Sequence, residues 1–136
     1  MKRTATAHWE GDLKTGKGNI SSQSTTLNKT QYSFKTRFED GVGTNPEELL
    51  AAAHAGCFTM AVSAGLAQAG FTATSLDTTA TLNLEGLDIT DIHLSIKGKV
   101  ANISAQQFSE FVKGAEQGCI VSKALKIKIT SDAELM

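Results

Sequence analysis

The chain has 136 residues, with 13 basic and 14 acidic side chains and a formal net charge of −1. One domain of this size encloses a core without disulfides, and so even a charge balance, with no block of one sign, argues against a general nucleic-acid binder or a polybasic membrane anchor. There are two cysteines, and no signal-peptide pattern follows Met1, which predicts a cytoplasmic protein in which lasting disulfides are rare. Two thiols in that setting are catalytic, redox-sensing or metal-binding, or else small buried hydrophobes.

Thr4 to Trp9 alternates small and larger residues, Gly18 to Ser22 reads as a second strand, and Gln31 to Glu39 alternates with Tyr32, Phe34, Thr36 and Phe38 on one face. Turns carrying Gly11, Gly16, Asn28 and Lys29 separate them, so a three-stranded antiparallel sheet is the simplest assembly. Arg37 is then expected on the opposite, solvated face of the third strand, beside Ser33, Lys35 and Glu39. The sequons at Asn19, Asn28 and Asn102 are read as chance matches in polar turns, given no export signal.

After a loop at Gly41 to Thr44, a long helix is expected. Thr44 or Asn45 can cap it, Pro46 suits its first turn, Glu47 and Glu48 favour its dipole, and Gly70 stops it. It would run for about 24 residues and roughly 36 Å. No charged residue occurs from Leu49 to Leu76, a length that would span a bilayer. Its Ala, Gly, Ser and Thr, with His54 and Gln68, replace the Leu, Ile, Phe and Val that drive insertion, so a buried helix of a soluble protein is expected, with no membrane partner. Small residues at Ala52, Gly56, Ala61, Ala64 and Gly65 admit another helix closely and predict burial on nearly all sides.

Asp77 to Leu84 and Ile89 to Val100 read as a second hairpin. Ser104 with Gln107 forms a capping box that opens a helix burying Phe108, Phe111, Val112 and Ala115 and ending at Gly118. A helical turn from Ile120 to Ala124 follows, and Leu125, Ile127 and Ile129 alternate with Lys126, Lys128 and Thr130 as a final half-buried strand. The order is α+β, in one domain over residues 1–136.

His54 lies three residues before Cys57 and shares its helix face, so a Cys-His dyad is conceivable beside the ordinary expectation of a packed or capping histidine. Two isolated cysteines and three scattered histidines lack the paired spacings of a zinc site, and no metal is expected. Glu47 lies about 15 Å along the helix from Cys57, and Glu48 about 13 Å, so neither carboxylate reaches this thiol within one straight helix. A second, antiparallel copy of the helix, or a kink, would be needed.

The runs Ala7-His8-Trp9-Glu10-Gly11-Asp12, Thr36-Arg37-Phe38-Glu39, Gly43-Thr44-Asn45-Pro46-Glu47-Glu48-Leu49, Ala52-Ala53-His54-Ala55-Gly56-Cys57-Phe58 and Gly118-Cys119-Ile120-Val121-Ser122 occur in this order over nearly the whole chain. Together they closely resemble the OsmC family, osmotically inducible relatives of the organic hydroperoxide resistance (Ohr) proteins. The resemblance implies an OsmC/Ohr-like fold, with antiparallel sheets around a long central helix, in an intertwined homodimer. It also implies a thiol peroxidase acting on organic hydroperoxides and more weakly on hydrogen peroxide, with no metal or bound cofactor. Carried over by residue, Cys57 is the peroxidatic thiol, Cys119 the resolving thiol, Arg37 the cation beside the thiolate and Glu47 the carboxylate that positions Arg37. In this reading Glu47, with Arg37, reaches Cys57 from the partner chain. The implied reductant is a dithiol such as a dihydrolipoyl group, including one on a lipoylated protein.

The chemistry suits those roles, because a thiolate is the nucleophile and a nearby guanidinium favours it. A sulfenic acid at Cys57 would be captured by Cys119 before irreversible oxidation. One departure is visible: Ile120 stands where the family commonly has proline after the resolving cysteine. The alternatives are an OsmC-like stress-response or small-molecule binding dimer without the chemistry, and a Cys-His hydrolase or acyltransferase dependent on His54.

Overall fold

The computed structural model describes residues 1–136, which divide into two units, Met1–Leu49 and Leu50–Met136. In the first, β1 (Ala5–Glu10), β2 (Lys17–Ser22) and β3 (Thr30–Tyr32) form an antiparallel sheet in the order β1-β2-β3. The turn after β1 is organised by Asp12, whose Oδ1 accepts the amide protons of Lys14 and Thr15, each at 2.9 Å. Gly18 faces Trp9 on one side and Tyr32 on the other. A Cβ there would sit 2.5 Å from Tyr32 and 2.6 Å from Trp9, so the absent side chain lets the two rings meet with centroids 5.4 Å apart.

The third strand is shorter than its alternation predicts. It ends at Tyr32, and Phe34–Phe38 is a helix, α1, that carries Arg37 in its last turn rather than on a strand face. Local chemistry decides this. Ser33 caps the helix, its hydroxyl accepting the Thr36 amide at 3.3 Å while the Thr36 hydroxyl accepts the Ser33 amide at 3.0 Å. Phe34 and Phe38, one helical turn apart, pack with tilted rings, centroids 5.0 Å apart.

Helix α2 (Pro46–Gln68) begins as expected, with proline at its first position and Asn45 Oδ1 accepting the Glu48 amide at 2.8 Å. Its end is a Schellman motif: Gly70 sits at φ +86, its amide donates to the Ala67 carbonyl at 3.1 Å, and the Phe71 amide donates to the Leu66 carbonyl at 2.9 Å.

In the second unit, β4 (Ala73–Glu85) and β5 (Asp88–Val100) form the expected hairpin, longer than predicted in its first strand. Then come α3 (Ala105–Gly118), capped by the Ser104/Gln107 box, α4 (Ile120–Ala124) and β6 (Lys128–Leu135). The sheet order is β4-β5-β6, and β6 pairs with β5 in parallel. The sheet is therefore mixed: antiparallel pairing holds in the hairpin, while the α3–α4 crossover returns the chain in the direction of β5. Leu125, expected in the last strand, caps α4 instead, its amide donating to the Val121 carbonyl at 3.2 Å.

Phe58, Val62 and Leu66 of α2, Ile92, Leu94 and Ile96 of β5, and Phe108 of α3 all have no exposed surface. The apolar alternation of β5 and the stripe of α3 thus face the same core. Helix α2 has the length and mean hydropathy, 1.6, of a membrane span, yet its Phe58, Val62 and Leu66 lie in this protein core. Burial on nearly all sides is not found. Only the stripe His54, Phe58, Val62 and Leu66 is covered, and Met60 is 75% exposed.

Candidate active site

Two groupings carry the candidate chemistry, one in each unit. In the first, Thr36 donates its hydroxyl to the Thr44 carbonyl at 2.7 Å, and Asn45 Nδ2 donates to the Thr36 carbonyl at 2.6 Å. Asn45 thereby ties the short helix to the start of the long one while capping the latter. This clamp brings Arg37 Nε to 2.9 Å from Glu47 Oε1. The contact is ionic but not aligned as a hydrogen bond: Arg37 Nε and Glu47 Oε2 are both buried atoms without a hydrogen-bond partner. Arg37 also lines an open cavity of about 240 Å³ with Trp9, Leu13, Tyr32, Phe34 and Pro46.

The second unit holds the thiols. Cys57, on α2, is half-buried, and Cys119, at the joint of α3 and α4, is 2% exposed. Both are free, and Cys57 packs against the core cluster that contains Cys119. The Ser122 amide donates to the same sulfur at 3.4 Å. Burial pushes the Cys119 thiol up. Hydrogen bonds from the Ser122 hydroxyl and amide, and from Cys57, outweigh burial and hold the thiol below its ordinary value. Helix α4 forms with Ile120 as its first residue, so the missing proline does not prevent the turn that places Ser122 over Cys119.

His54 is packed, as ordinarily expected of it, and makes no hydrogen bond to Cys57 of the kind a Cys-His dyad requires. It is fully buried, and its Nε2 lies 2.7 Å from Ser122 Oγ. Desolvation lowers its pKa from 6.5, which keeps the ring neutral at neutral pH. Sequence reasoning did not find Ser122. Its one signal was its place three residues after Cys119 in a predicted helical turn, where an amide returns to the capping side chain.

The four residues singled out from the sequence therefore form two pairs, Arg37 with Glu47 and Cys57 with Cys119. No group of three or more His, Cys, Asp or Glu side chains has the arrangement of a metal site. The model of the OsmC-like protein family matches residues 38–134. The chain belongs to the OsmC family. Peroxiredoxin OsmC of Escherichia coli is 51% identical over 133 residues, covering 95% of this chain and 93% of that protein. The fold is also that of solved OsmC and Ohr proteins. An OsmC-like protein from Vibrio cholerae superposes with a TM-score of 0.76 at 13% identity, over 98% of this chain and 99% of the other. The organic hydroperoxide resistance protein OhrB of Bacillus subtilis does so with a TM-score of 0.64 at 22% identity, over 98% of each chain.

Proposed function

We propose that this OsmC-family chain, a single domain over residues 1–136, is a peroxiredoxin-like peroxidase that reduces organic hydroperoxides, and hydrogen peroxide more weakly, in the cytoplasm. The observation that carries this reading is that both cysteines are free and share one core, Cys119 buried within it and Cys57 packed against it. The 51% identical relative named a peroxiredoxin supports the reaction class.

In the proposed cycle the Cys57 thiolate attacks the outer peroxide oxygen. The O–O bond breaks, and the alkoxide leaves as an alcohol with a proton from solvent. The resulting sulfenic acid is attacked by Cys119: an S–S bond forms, the S–O bond breaks and the hydroxyl departs as water. Two electrons from a dithiol, a dihydrolipoyl group or a lipoylated protein, then reopen the disulfide by exchange. Arg37, oriented by Glu47, is the cation assigned to the Cys57 thiolate, because its planar guanidinium stays charged at every working pH. The aromatic cavity beside Arg37 supports an apolar substrate.

The working form is a homodimer. The uncovered surface of α2, with Met60 largely exposed, supports a second copy there. So do the small residues Ala61, Ala64, Gly65 and Gly114 lining a groove between α2 and α3.

The test is to add substoichiometric cumene hydroperoxide to reduced protein, count free thiols and record intact mass, with Cys57→Ser as control. Loss of both thiols with a decrease of two hydrogens, absent in the control, supports the cycle. Inert thiols in a folded dimer would assign the chain to the binding members of the family, and equal or faster turnover of hydrogen peroxide would overturn the substrate preference.

A further inference from the structure

His54 is the most deeply buried titratable side chain in the molecule, and the cycle above does not use it. It sits in helix α2 three residues from Cys57, yet its hydrogen bond goes to Ser122, 68 positions away in sequence. Its other ring nitrogen, Nδ1, has no partner. In a dry site an orphaned N–H costs more than an unpaired lone pair, so the favoured tautomer carries its proton on Nε2. Nε2 then donates to Ser122 Oγ, and the Ser122 hydroxyl keeps its own proton, free to turn toward the sulfur of Cys119, which caps the same helical turn. The Ser122 amide adds a second donor to that sulfur at 3.4 Å.

We propose that His54 is a positioning residue that acts through Ser122 on Cys119, fixing the serine hydroxyl as a donor to the resolving sulfur. The role of Cys119 as resolving thiol rests on the reading above; the hydrogen-bond chain does not. A neutral ring suits this task, because it orients a donor without bringing a charge into the core. The groups acting on the Cys119 sulfur are Ser122, the Cys57 thiol and the Val121 amide, none of them charged, so the direction of the Ser122 hydroxyl is the chief variable.

The arrangement serves both half-reactions. In resolution, Cys119, its proton already released to solvent, attacks the Cys57 sulfur. The S–S bond forms, the S–O bond breaks, and hydroxide takes up a proton as water. In reduction, a thiolate of the incoming dithiol bonds to the Cys57 sulfur, the S–S bond breaks, and Cys119 leaves with the electron pair onto the same donors. A leaving thiol of lowered pKa departs faster.

The first experiment needs no peroxide. In Cys57→Ser, Cys119 is the sole thiol, and the ultraviolet absorbance of the thiolate titrates it alone. Adding Ser122→Ala is expected to raise the midpoint by about one pH unit, the scale of one hydrogen bond to a charged group. Adding His54→Phe should raise it in the same direction. Adding His54→Gln, whose carboxamide retains an N–H for Ser122, should restore it. An unchanged midpoint in Ser122→Ala, or no difference between the Phe and Gln replacements, overturns the proposal.

The second experiment compares, in the otherwise unaltered chain after a peroxide pulse, the rate of disulfide formation with that of sulfenic acid formation. Ser122→Ala should lower their ratio about tenfold. Equal slowing of both steps would reflect general damage and count against the positioning role. If the unaltered chain forms no sulfenic acid, the peroxidase reading falls, and the titration still decides the hydrogen-bond chain.

Discussion

Arg37 and Glu47 keep 31% and 17% of their side-chain surface in water, whereas His54 keeps none and Cys119 only 2%. The charged pair is held by polar clamps near the surface: the Ser33 box, the Thr36 hydroxyl on the Thr44 carbonyl, and Asn45 between two helices. The thiols are held by a dry core, with Phe58 next to Cys57 in α2 and Phe108 and Val112 on the helix that delivers Cys119. A guanidinium stays in reach of water because desolvating a charge is expensive, while a thiol tolerates an apolar setting if hydrogen-bond donors reach its sulfur. The same proposed reaction thus draws on one region tuned by charge and another tuned by hydrogen-bond direction.

The largest expected effect comes from breaking the dry region. Phe108→Ala should destabilise the protein by about 3–5 kcal/mol, measured by urea unfolding, because a fully buried ring leaves a cavity that the surrounding sheet and helices fill only in part. A loss below about 1 kcal/mol would show that this core relaxes freely and that packing does not fix the thiols. Next comes the charged region. Arg37→Leu is expected to lower kcat/KM for cumene hydroperoxide about 100-fold, and Arg37→Lys, which keeps charge but loses the planar fork, about tenfold. Arg37→Leu leaves the largely buried Glu47 carboxylate without its partner and should cost about 1–3 kcal/mol of stability, less than Phe108→Ala, and Arg37→Lys, which keeps the charge, should cost less still. Unchanged kcat/KM in Arg37→Leu would remove the charged pair from the reaction.

The two capping boxes show where sequence reading succeeds and where it stops. Ser104 with Gln107 precedes a long amphipathic run, and the helix it opens was legible to the residue. Ser33 with Thr36 makes the same pair of bonds, but its helix is only five residues long. Over so short a stretch Tyr32, Phe34, Thr36 and Phe38 satisfy a period of two as well as Phe34 and Phe38 satisfy a helical turn, so the strand reading misplaced Arg37. The parallel pairing of β6 depends on where a crossover lands, which no local pattern encodes. Helix α2 was found with its cap and stop, yet its uncharged sequence overstated how much of it one chain covers. At the site, the Cys and Arg–Glu candidates came from motif resemblance, whereas the bond from His54 to Ser122 joins segments with no shared pattern.

The smallest effect, and the sharpest on the neutral side of the comparison, is the pH dependence of stability contributed by His54. Burial lowers its folded pKa below 6.5, while in the unfolded chain the ring titrates near that value. As pH falls through 6.5, the unfolded state takes up a proton that the folded state resists. The unfolded state then binds more protons, and stability declines with falling pH until the folded ring also titrates. The contribution is complete above pH 6.5 and is lost below it. Glu116 does not confuse this window. Burial pushes its carboxyl up, but hydrogen bonds from Ser131 and Lys113 outweigh burial and leave it below 4.5, so its own loss of stability comes at more acid pH. Urea midpoints across mildly acid pH should therefore fall more steeply for the unaltered chain than for His54→Gln, which has nothing to protonate there. Parallel curves would mean that the buried ring accepts a proton as readily folded as unfolded, and the neutral ring assigned to the positioning role would lose its basis.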